Sequence, residues 1–291
     1  MTAPLTLLQH ASSTNDLVRQ EPFISQSPPF AVGTLDQRAG RGRQGRTWVN
    51  RPGDSLALTI VITPRLPREQ WGWYPLLTAL AAVDALTAII TAAGSADSPA
   101  APAISIKWPN DLLIPGERKM AGILCAAHTD SSPPTGQAEQ AHSERLAIGI
   151  GINLRGRMDS AEPLLARAGT LSELMPGGWE DASGGGEDLG RRAARAVTNA
   201  VLDRVEQAES STESFHRLRE EYGENCITVG RVVSVVRGGG HKELTGTAIG
   251  IDPGGQLIIR LPDSSEVALS SGDVHLTPPS AQAQQKGVAA R

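Results

Sequence analysis

The sequence predicts an α+β protein, with a mixed β-sheet and helices in a large first part and a small all-β second part. Three observations support this. The run SLALTIVIT from Ser55 to Thr63 is typical of a buried strand. Apolar residues recur at helical spacing between Leu76 and Ile90. After about residue 225, short apolar runs alternate with Gly, Asp and Pro, which is typical of a small β-barrel.

Local signals indicate the other elements of the first part. Ser12 to Asp16 predicts the start of a short helix, since Ser, Thr and Asn are good N-caps. The apolar residues 30–36 predict a strand before the glycine- and arginine-rich loop. Ile104 to Trp108 alternates like a strand and ends at Pro109.

A hairpin, a strand and a long helix follow. Leu112–Ile114 and Met120–Ala127 flank the turn Pro115-Gly116-Glu117-Arg118, which predicts a hairpin. The run from Leu146 to Leu154 predicts a buried strand. The spacing of apolar residues from Leu189 to Val205 predicts a second long helix.

Composition and charge disfavour several classes of protein. The 291 residues carry a net charge of -4, so no overall basic field favours nucleic acid. The N-terminal MTAPLTLLQH lacks the basic region of a signal peptide, and no uncharged apolar run reaches the roughly 18 residues of a membrane span. The two cysteines form no CxxC pair, so we expect reduced thiols and no cysteine metal site. These features predict a cytoplasmic protein.

The segment GRGRQGRT, from Gly40 to Thr47, suggests two nucleotide-binding motifs. Its glycines spell G-x-G-x-x-G, and its second half comes within one residue of a P-loop. Both motifs need a helix directly after the glycines, because the helix N-terminus holds the phosphate. Here Trp48 to Gly53 and then a strand follow, and Arg46 stands in the place of the P-loop lysine. The sequence therefore disfavours both motifs.

The charge of this segment still suggests a ligand. Arg41, Arg43 and Arg46 place three guanidinium groups among three glycines. Guanidinium groups bind carboxylates and phosphates through two hydrogen bonds, and glycines allow the backbone to approach a ligand closely. We expect a loop that is poorly ordered when empty and becomes ordered on an anion. The alternative is a solvated surface turn with incidental arginines.

Other segments carry complementary groups. Asn110 and Asp111, at a predicted strand end after Lys107, offer the hard oxygen ligands that Mg²⁺ takes. Lys119 adds a positive charge on the hairpin. The strand GIGIN at 149–153 has glycines that leave space for a ligand beside the sheet. Each feature has a purely structural alternative. Asn110 and Asp111 can form a turn, Lys119 can be a surface charge of the hairpin, and the glycines can serve packing. Together they predict a site that joins an acid to a nucleotide phosphate.

At these residues the sequence resembles the biotin protein ligases, also called biotin–[acetyl-CoA-carboxylase] ligases. The matching stretches follow the family's order at similar spacing: SSTN (12–15), QRAGRGRQGRTW (37–48), KWPNDLLI (107–114), RKMAGIL (118–124), GIGINL (149–154) and GTAIGIDPGGQLII (246–259). The resemblance covers nearly the whole chain. The combination of the Gly/Arg loop, KWPND and RK-x-AGIL is highly specific.

The resemblance implies an ATP-dependent, two-step acyl transfer that uses Mg²⁺. The biotin carboxylate attacks the α-phosphate of ATP and forms biotinyl-5′-AMP and pyrophosphate. A lysine of the biotin carboxyl carrier domain of a carboxylase, such as acetyl-CoA carboxylase, then takes the acyl group and releases AMP. The implied fold is a catalytic core like that of class II aminoacyl-tRNA synthetases over residues 1–225, with a Src-homology-3-like β-barrel over 226–277. Residues 278–291 are expected to be a disordered tail.

The family's roles carry over to matching residues of this sequence. The expected catalytic residues are Arg43, Asn110, Asp111 and Lys119, with Asp111 as the expected Mg²⁺ ligand. The expected biotin contacts are Ser13, Thr14, Asn15, Gln37, Gly40, Arg41, Gly42, Arg43, Lys119 and Gly122. The expected nucleotide contacts are Arg41, Arg43, Arg46, Trp48, Lys107, Asn110 and Asn153. Lys119 is expected to neutralise charge on the carboxylate and phosphate, so catalysis is mainly positioning and charge stabilisation.

Two departures bear on partners. Some family members carry an N-terminal winged helix-turn-helix and repress transcription, but SSTN begins here at Ser12, so DNA binding by that route is not expected. The loops 94–103 and 130–143 are interpreted as insertions, and the expected state is a monomer or a weak homodimer.

Two alternative functions stay open. A lipoate or octanoyl ligase shares the implied fold, although the Gly/Arg loop and KWPND argue against it. A DNA-binding repressor that senses biotin is disfavoured by the missing N-terminal unit and by a pI of about 5.9.

Overall fold

The computed structural model describes residues 3–48, 51–94, 104–129, 144–155, 168–175, 189–237 and 241–276. The strands up to residue 155 are β1 (Leu5–Leu8), β2 (Phe30–Thr34), β3 (Gly40–Arg41), β4 (Thr47–Trp48), β5 (Ser55–Ile62), β6 (Ser105–Lys107), β7 (Asp111–Ile114), β8 (Arg118–Thr129) and β9 (Glu144–Asn153). The later strands are β10 (Val232–Arg237), β11 (His241–Ile251), β12 (Leu257–Arg260), β13 (Glu266–Leu269) and β14 (Asp273–Leu276). The helices are α1 (Thr14–Leu17), α2 (Tyr74–Ala93), α3 (Leu189–Ser210) and α4 (Thr212–Asn225). The predicted insertion at 130–143 and the predicted tail lie outside the described residues, and so does the predicted insertion at 94–103 except for Gly94.

The main sheet has seven strands in the order β1-β2-β5-β9-β8-β7-β6. It is mixed, because β1 runs parallel to β2 and the other pairs are antiparallel. All eight residues of β5 are buried. This explains why its sequence is a continuous apolar run rather than an alternating one.

The long helices α2 and α3 pack on each other and contact the main sheet. Helix α2 contributes much of the core, with Leu76, Leu77 and Leu86 fully buried. The segment Arg68–Ala93 is long and apolar enough to cross a membrane by length and composition, but 61% of its window is buried inside the protein. It is therefore explained as a core helix.

The predicted helices, strands and hairpin of the first part are confirmed, with ends shifted by a few residues. Strand β1 and helix α4 were not predicted, and neither were the two-residue strands β3 and β4 of the Gly/Arg loop. Strand β1 has only four residues at a sheet edge. Helix α4 is mostly polar, and only Phe215, Leu218 and Tyr222 are buried in it. Its start had a usable signal, since Ser211 is an N-cap whose side chain accepts from the backbone N–H of Ser214.

The C-terminal strands form one antiparallel sheet in the order β13-β12-β11-β10-β14. The predicted small β-barrel is confirmed only as far as this antiparallel sheet: within residues 231–237 and 241–276, no ladder joins the edge strands β13 and β14. Each edge strand pairs with one neighbour only, so the ring of hydrogen bonds that defines a closed barrel is not completed.

Candidate active site

A cavity of about 530 Å³ lies beside the main sheet, within the roughly 300–1,000 Å³ typical of ligand pockets. It is lined by residues of α1, β5, β8 and β9, by the β3–β4 loop, and by the segment from Lys107 to Asp111. Gly272, Val274 and His275 complete the lining from the C-terminal sheet. Both sheets therefore contribute to one cavity.

A network of neutral polar groups lies at one part of the cavity, and we call it the neutral cluster (Thr14, Asn15, Gln37 and Thr59). The first three line the cavity, whereas Thr59 is fully buried and bonds to Thr14 and Asn15. The backbone N–H of Thr14 donates to Gln37 Oε1 at 2.9 Å. Thr59 Oγ1 lies 2.8 Å from Thr14 Oγ1 and 2.7 Å from Asn15 Oδ1. Asn15 Nδ2 donates to the carbonyl of Leu124 at 3.1 Å. These bonds join α1 to β5 and β8, and Thr14 and Thr59 are buried.

Glycines of β8 and β9 make room for two side chains over the sheet. A Cβ at Gly149 would lie 2.5 Å from Asn15 Oδ1, and one at Gly151 would lie 2.8 Å from the Trp48 ring. A Cβ at Gly122, which pairs with Gly151, would lie 3.0 Å from the same ring. The expected ligand space directly above Gly149 and Gly151 is thus occupied by Asn15 and Trp48, which themselves line the cavity.

Another part of the cavity is cationic. The cationic cluster consists of Arg41, Arg43, Arg46, Lys107 and Lys119, whereas Asp111 and Glu117 are the acids in the lining. Lys119 Nζ lies 2.6 Å from Asp111 Oδ1 and 5.5 Å from the centroid of the Trp48 ring. An excess of positive charge in a partly enclosed cavity attracts anions.

The arginines of the cationic cluster are also held by side chains of the same chain, and Arg46 Nη2 donates to Gln44 Oε1 at 3.4 Å. Arg43 Nη1 donates to Asn110 Oδ1 at 3.2 Å. Arg41 Nη2 lies 3.0 Å from Asp16 Oδ2, with the arginine side chain 68% exposed. Exposed ion pairs of this kind contribute about 0–1 kcal/mol. A bound phosphate or carboxylate can therefore replace Asp16 at little cost.

The Gly/Arg loop is a short hairpin, because Gly40 pairs with Trp48 and Arg41 pairs with Thr47. A Cβ at Gly40 would lie 2.5 Å from the carbonyl oxygen of Trp48, so this glycine permits the close approach of β3 and β4. No helix follows the glycines, since Trp48 ends β4 and the next described element is β5. This confirms the rejection of the dinucleotide and P-loop motifs.

Asn153 is buried, and its amide is engaged by the protein itself. Its Nδ2 atom lies 3.3 Å from the Lys119 carbonyl and 3.2 Å from the Gly169 carbonyl. Its Oδ1 atom accepts from Ser55 Oγ at 3.3 Å. Asn153 therefore braces the backbone of Lys119 as well as lining the cavity.

The structure brings together every predicted site residue except Gly40, which supports the loop without lining the cavity. The lining residues among those predicted are Ser13, Thr14, Asn15, Gln37, Arg41, Gly42, Arg43, Arg46, Trp48, Lys107, Asn110, Asp111, Lys119, Gly122 and Asn153. Their roles toward biotin, nucleotide and Mg²⁺ stay predictions.

Sequence reasoning missed Thr59, Glu117 and His275. Thr59 had a usable signal, because it is a polar residue within the apolar run SLALTIVIT. Glu117 was interpreted only as part of a turn. His275 lies in the C-terminal strand β14, and its sequence neighbours do not indicate that this strand borders the cavity.

The arrangement places neutral hydrogen-bonding groups and an excess of positive charge on one cavity, which suits a ligand with both neutral polar and anionic groups. Cys125 and Cys226 are free thiols outside the lining, and burial raises the pKa of the Cys125 thiol to about 12. Within the part of the chain that the structure describes, no group of three His, Cys, Asp or Glu could hold a metal ion. Mg²⁺ is often bound by one or two carboxylates together with substrate phosphates, so Asp111 fits a magnesium ion that arrives with a nucleotide.

Two family matches cover the two parts of the fold. Residues 7–136 match the Biotin/lipoate A/B protein ligase family, and residues 228–276 match the Biotin protein ligase C terminal domain. Together the two matches cover most of the chain and indicate a protein of the biotin and lipoate ligase class.

Relatives specify this class further. The chain is 33% identical to the biotin–[acetyl-CoA-carboxylase] ligase of Paracoccus denitrificans, over 90% of this chain and 96% of that protein. It is 28% identical to the ligase of the same name from Mycobacterium tuberculosis, over 93% and 88% of the two chains. The fold is similar to that of a biotin protein ligase from Aquifex aeolicus solved with biotin and ATP, with a TM-score of 0.69 at 22% identity over 94% and 98% of the chains. The chain belongs to the biotin protein ligase family, as its motifs predicted.

Proposed function

We propose that both steps of biotin transfer take place in this cavity. The chain is an ATP-dependent biotin–[acetyl-CoA-carboxylase] ligase, like the relatives it matches. Biotin and ATP are its substrates, and biotinyl-5′-AMP is the intermediate. The observation that carries the site assignment is that one cavity joins the neutral cluster to the cationic cluster.

The neutral cluster suits the ureido ring of biotin. This ring has two N–H donors and one carbonyl acceptor and carries no charge. Hydroxyl groups of Ser13 and Thr14 and the amide of Gln37 can donate and accept hydrogen bonds without charge. Because Thr59 and Leu124 already fix α1, these groups are positioned before the ligand arrives.

The cationic cluster suits the carboxylate of biotin and the phosphates of ATP. In the first step, a carboxylate oxygen attacks the α-phosphorus, and the bond from that phosphorus to the bridging oxygen of pyrophosphate breaks. Lys119 and Arg43 reduce the repulsion between the two anions and stabilise the charge that builds up on the α-phosphate oxygens. Lys119 must exchange Asp111 for substrate oxygens at this point, since the two side chains are in contact.

This exchange fits the expected role of Asp111. The Asp111 carboxylate would hold a magnesium ion together with the ATP phosphates, and the ion would neutralise part of their charge. In the second step, the lysine amine of the carrier domain attacks the acyl carbon, and AMP leaves with the pair of electrons of the broken bond. The partner in this proposal is the biotin carboxyl carrier domain of an acyl-CoA carboxylase.

The finer architectural and cellular predictions belong to the same proposal. The mixed sheet backed by helices supports a relation to class II aminoacyl-tRNA synthetases. The antiparallel order β13-β12-β11-β10-β14 supports a Src-homology-3-like relation without requiring closure. We also propose a cytoplasmic protein that is a monomer or weak homodimer and does not bind DNA.

The mass of a biotin carboxyl carrier domain tests the proposed function directly. After incubation with the protein, MgATP and biotin, its mass is expected to rise by one biotin, and a parallel reaction with lipoate is expected to show no gain. A gain with lipoate alone would establish the lipoate-type alternative. No gain with either acid would refute ligase activity on this carrier class.

A gel shift addresses the repressor alternative. A DNA duplex is expected to remain unshifted at low and moderate salt, with and without biotinyl-5′-AMP. A complex that weakens steeply as salt increases would instead indicate phosphate contacts and DNA binding.

A further inference from the structure

Two buried tryptophans of the first part bind one turn of the C-terminal sheet. Trp73 Nε1 donates to the carbonyl of Asp252 at 3.2 Å, and Trp108 Nε1 donates to the carbonyl of Gly255 at 3.1 Å. Both rings are almost completely buried, at 0% and 1% exposure. The turn lies between β11 and β12, and we call it the indole-bound turn (residues 252–255).

The indole-bound turn is held by hydrogen bonds of its own and packs its backbone against the backbone of Gly72. Asp252 Oδ1 accepts from the backbone N–H groups of Gly254 and Gln256, each at 2.8 Å. A Cβ at Gly72 would lie 2.1 Å from the Gly254 carbonyl oxygen, and one at Gly255 would lie 2.7 Å from the backbone of Gly72. The turn thus fixes the C-terminal sheet against the segment that precedes α2.

The two tryptophans lead into different segments of the chain. Trp108 lines the cavity and is separated from Asn110 and Asp111 only by Pro109. A second link from the C-terminal part holds its backbone, because the N–H of Trp108 donates to Thr228 Oγ1 at 3.0 Å. Trp73 leads into α2, packs edge-on against Phe215 and Tyr222, and does not line the cavity.

We propose that Trp108 is a positioning residue through which the C-terminal sheet fixes Asn110 and Asp111 for the MgATP step. This inference rests on the proposed function and assigns a role to the C-terminal sheet beyond its own lining residues. Asn110 holds Arg43 at 3.2 Å, and Asp111 holds Lys119 at 2.6 Å. A displacement of Trp108 would therefore also displace Arg43 and Lys119, the two groups proposed to act on the phosphate.

The proposed effect is confined to one part of the cavity. The neutral cluster is fixed by α1, β5 and the Leu124 carbonyl, and none of its hydrogen bonds involves Trp108 or the indole-bound turn. Misplacing reacting groups by about 1 Å can cost on the order of 100-fold in rate. A smaller shift of Asn110 and Asp111 should thus affect the nucleotide step while biotin binding persists.

Matched substitutions of the two tryptophans test the inference. Trp108→Phe and Trp73→Phe each remove one indole N–H bonded to the same turn and retain an aromatic ring. Both are expected to lower the melting temperature. Only Trp108→Phe is expected to lower kcat and raise KM for MgATP in adenylate formation, with kcat/KM reduced about 10-fold or more and KM for biotin within twofold. Equal kinetics in the two variants would overturn the inference.

Thr228 provides a second test if Trp108→Phe fails to fold. Thr228→Val removes the hydroxyl that accepts from the backbone N–H of Trp108 and keeps nearly the same side-chain volume, whereas Thr228→Ser keeps a hydroxyl. We expect a raised KM for MgATP in Thr228→Val and recovery in Thr228→Ser. Wild-type kinetics in a folded Thr228→Val variant would overturn the inference.

The wild-type reaction separates this inference from the proposed function. If the unmodified protein forms no biotinyl-5′-AMP, the proposed function fails, and the inference fails with it. If the wild type forms the adenylate and the variants form it equally well, only the role of Trp108 is refuted.

Discussion

The neutral cluster and the cationic cluster are held in place by different kinds of contact. Thr14 and Thr59 belong to the neutral cluster, are buried, and hydrogen-bond across α1 and β5. In the cationic cluster, Arg41 and Lys119 have side chains that are 68% and 38% exposed, and both pair with carboxylates. The first set is preorganised, whereas the second must exchange partners when an anion binds. The difference suggests that biotin's ring meets a fixed surface and that the phosphates reorganise the charges.

Removing Lys119 is the strongest test of this comparison. Lys119→Ala is expected to lower kcat for biotinyl-5′-AMP formation by roughly 100- to 1,000-fold, as for loss of a major charge-stabilising group. Pyrophosphate release measures this step. Arg118→Ala is the matched control, because Arg118 pairs with Glu173 at 2.6 Å and lies outside the lining. Near-normal adenylation by a folded Lys119→Ala variant would refute its assigned role.

Removing Arg43 should give the next largest effect. A hydrogen bond to a charged group is worth about 1.5–3 kcal/mol, so Arg43→Ala is expected to slow adenylation roughly 10- to 100-fold. It should also release biotinyl-5′-AMP faster, which filtration of the preformed complex measures.

The control for this change is Arg38→Ala. Arg38 is 64% exposed, pairs with Asp36 and does not line the cavity. Equal retention of the adenylate by the two variants would show that Arg43 does not hold the intermediate.

Thr59→Val tests the preorganised side. The change removes the hydroxyl between Thr14 and Asn15, leaving buried polar groups with fewer partners, at about 1–3 kcal/mol. KM for biotin is expected to rise about 10-fold, with KM for MgATP little changed. Thr78→Val is the control, because the buried Thr78 hydroxyl bonds only within α2, to the Tyr74 carbonyl. A rise in KM for biotin in both variants would indicate a general loss of structure.

Local periodicity predicted most of the fold, and the misses have physical causes. The apolar runs of β5 and α2 reflect burial, which the sequence records directly. Strand β1 is short and runs parallel to β2. Its Leu5 pairs with Ala31, which is 26 residues away in the sequence. Closure of the C-terminal sheet into a barrel depends on pairing between the distant edge strands β13 and β14, which local patterns do not record.

The site residues were predictable from motifs, but their partners were not. GRGRQGRT, KWPND and GIGIN identify groups suited to anions and nucleotides. The contact of Thr59 with Asn15 joins residues 44 positions apart, and the bond of Trp108 to Gly255 joins residues 147 apart. Such pairs depend on how the sheets pack, which neither spacing nor composition records.

The smallest expected effect concerns the exposed contact between Arg41 and Asp16. Asp16→Asn is expected to change the free energy of unfolding by less than about 1 kcal/mol, as for other exposed ion pairs. It should nevertheless increase amide hydrogen exchange in Gly40–Arg46 of the free protein, because one contact that holds the loop on α1 is weakened. With biotin and MgATP the difference from wild type should disappear, since phosphate oxygens then hold Arg41. If amide hydrogen exchange in Gly40–Arg46 is the same in both proteins, with and without ligands, then Arg41 does not leave Asp16 to bind substrate.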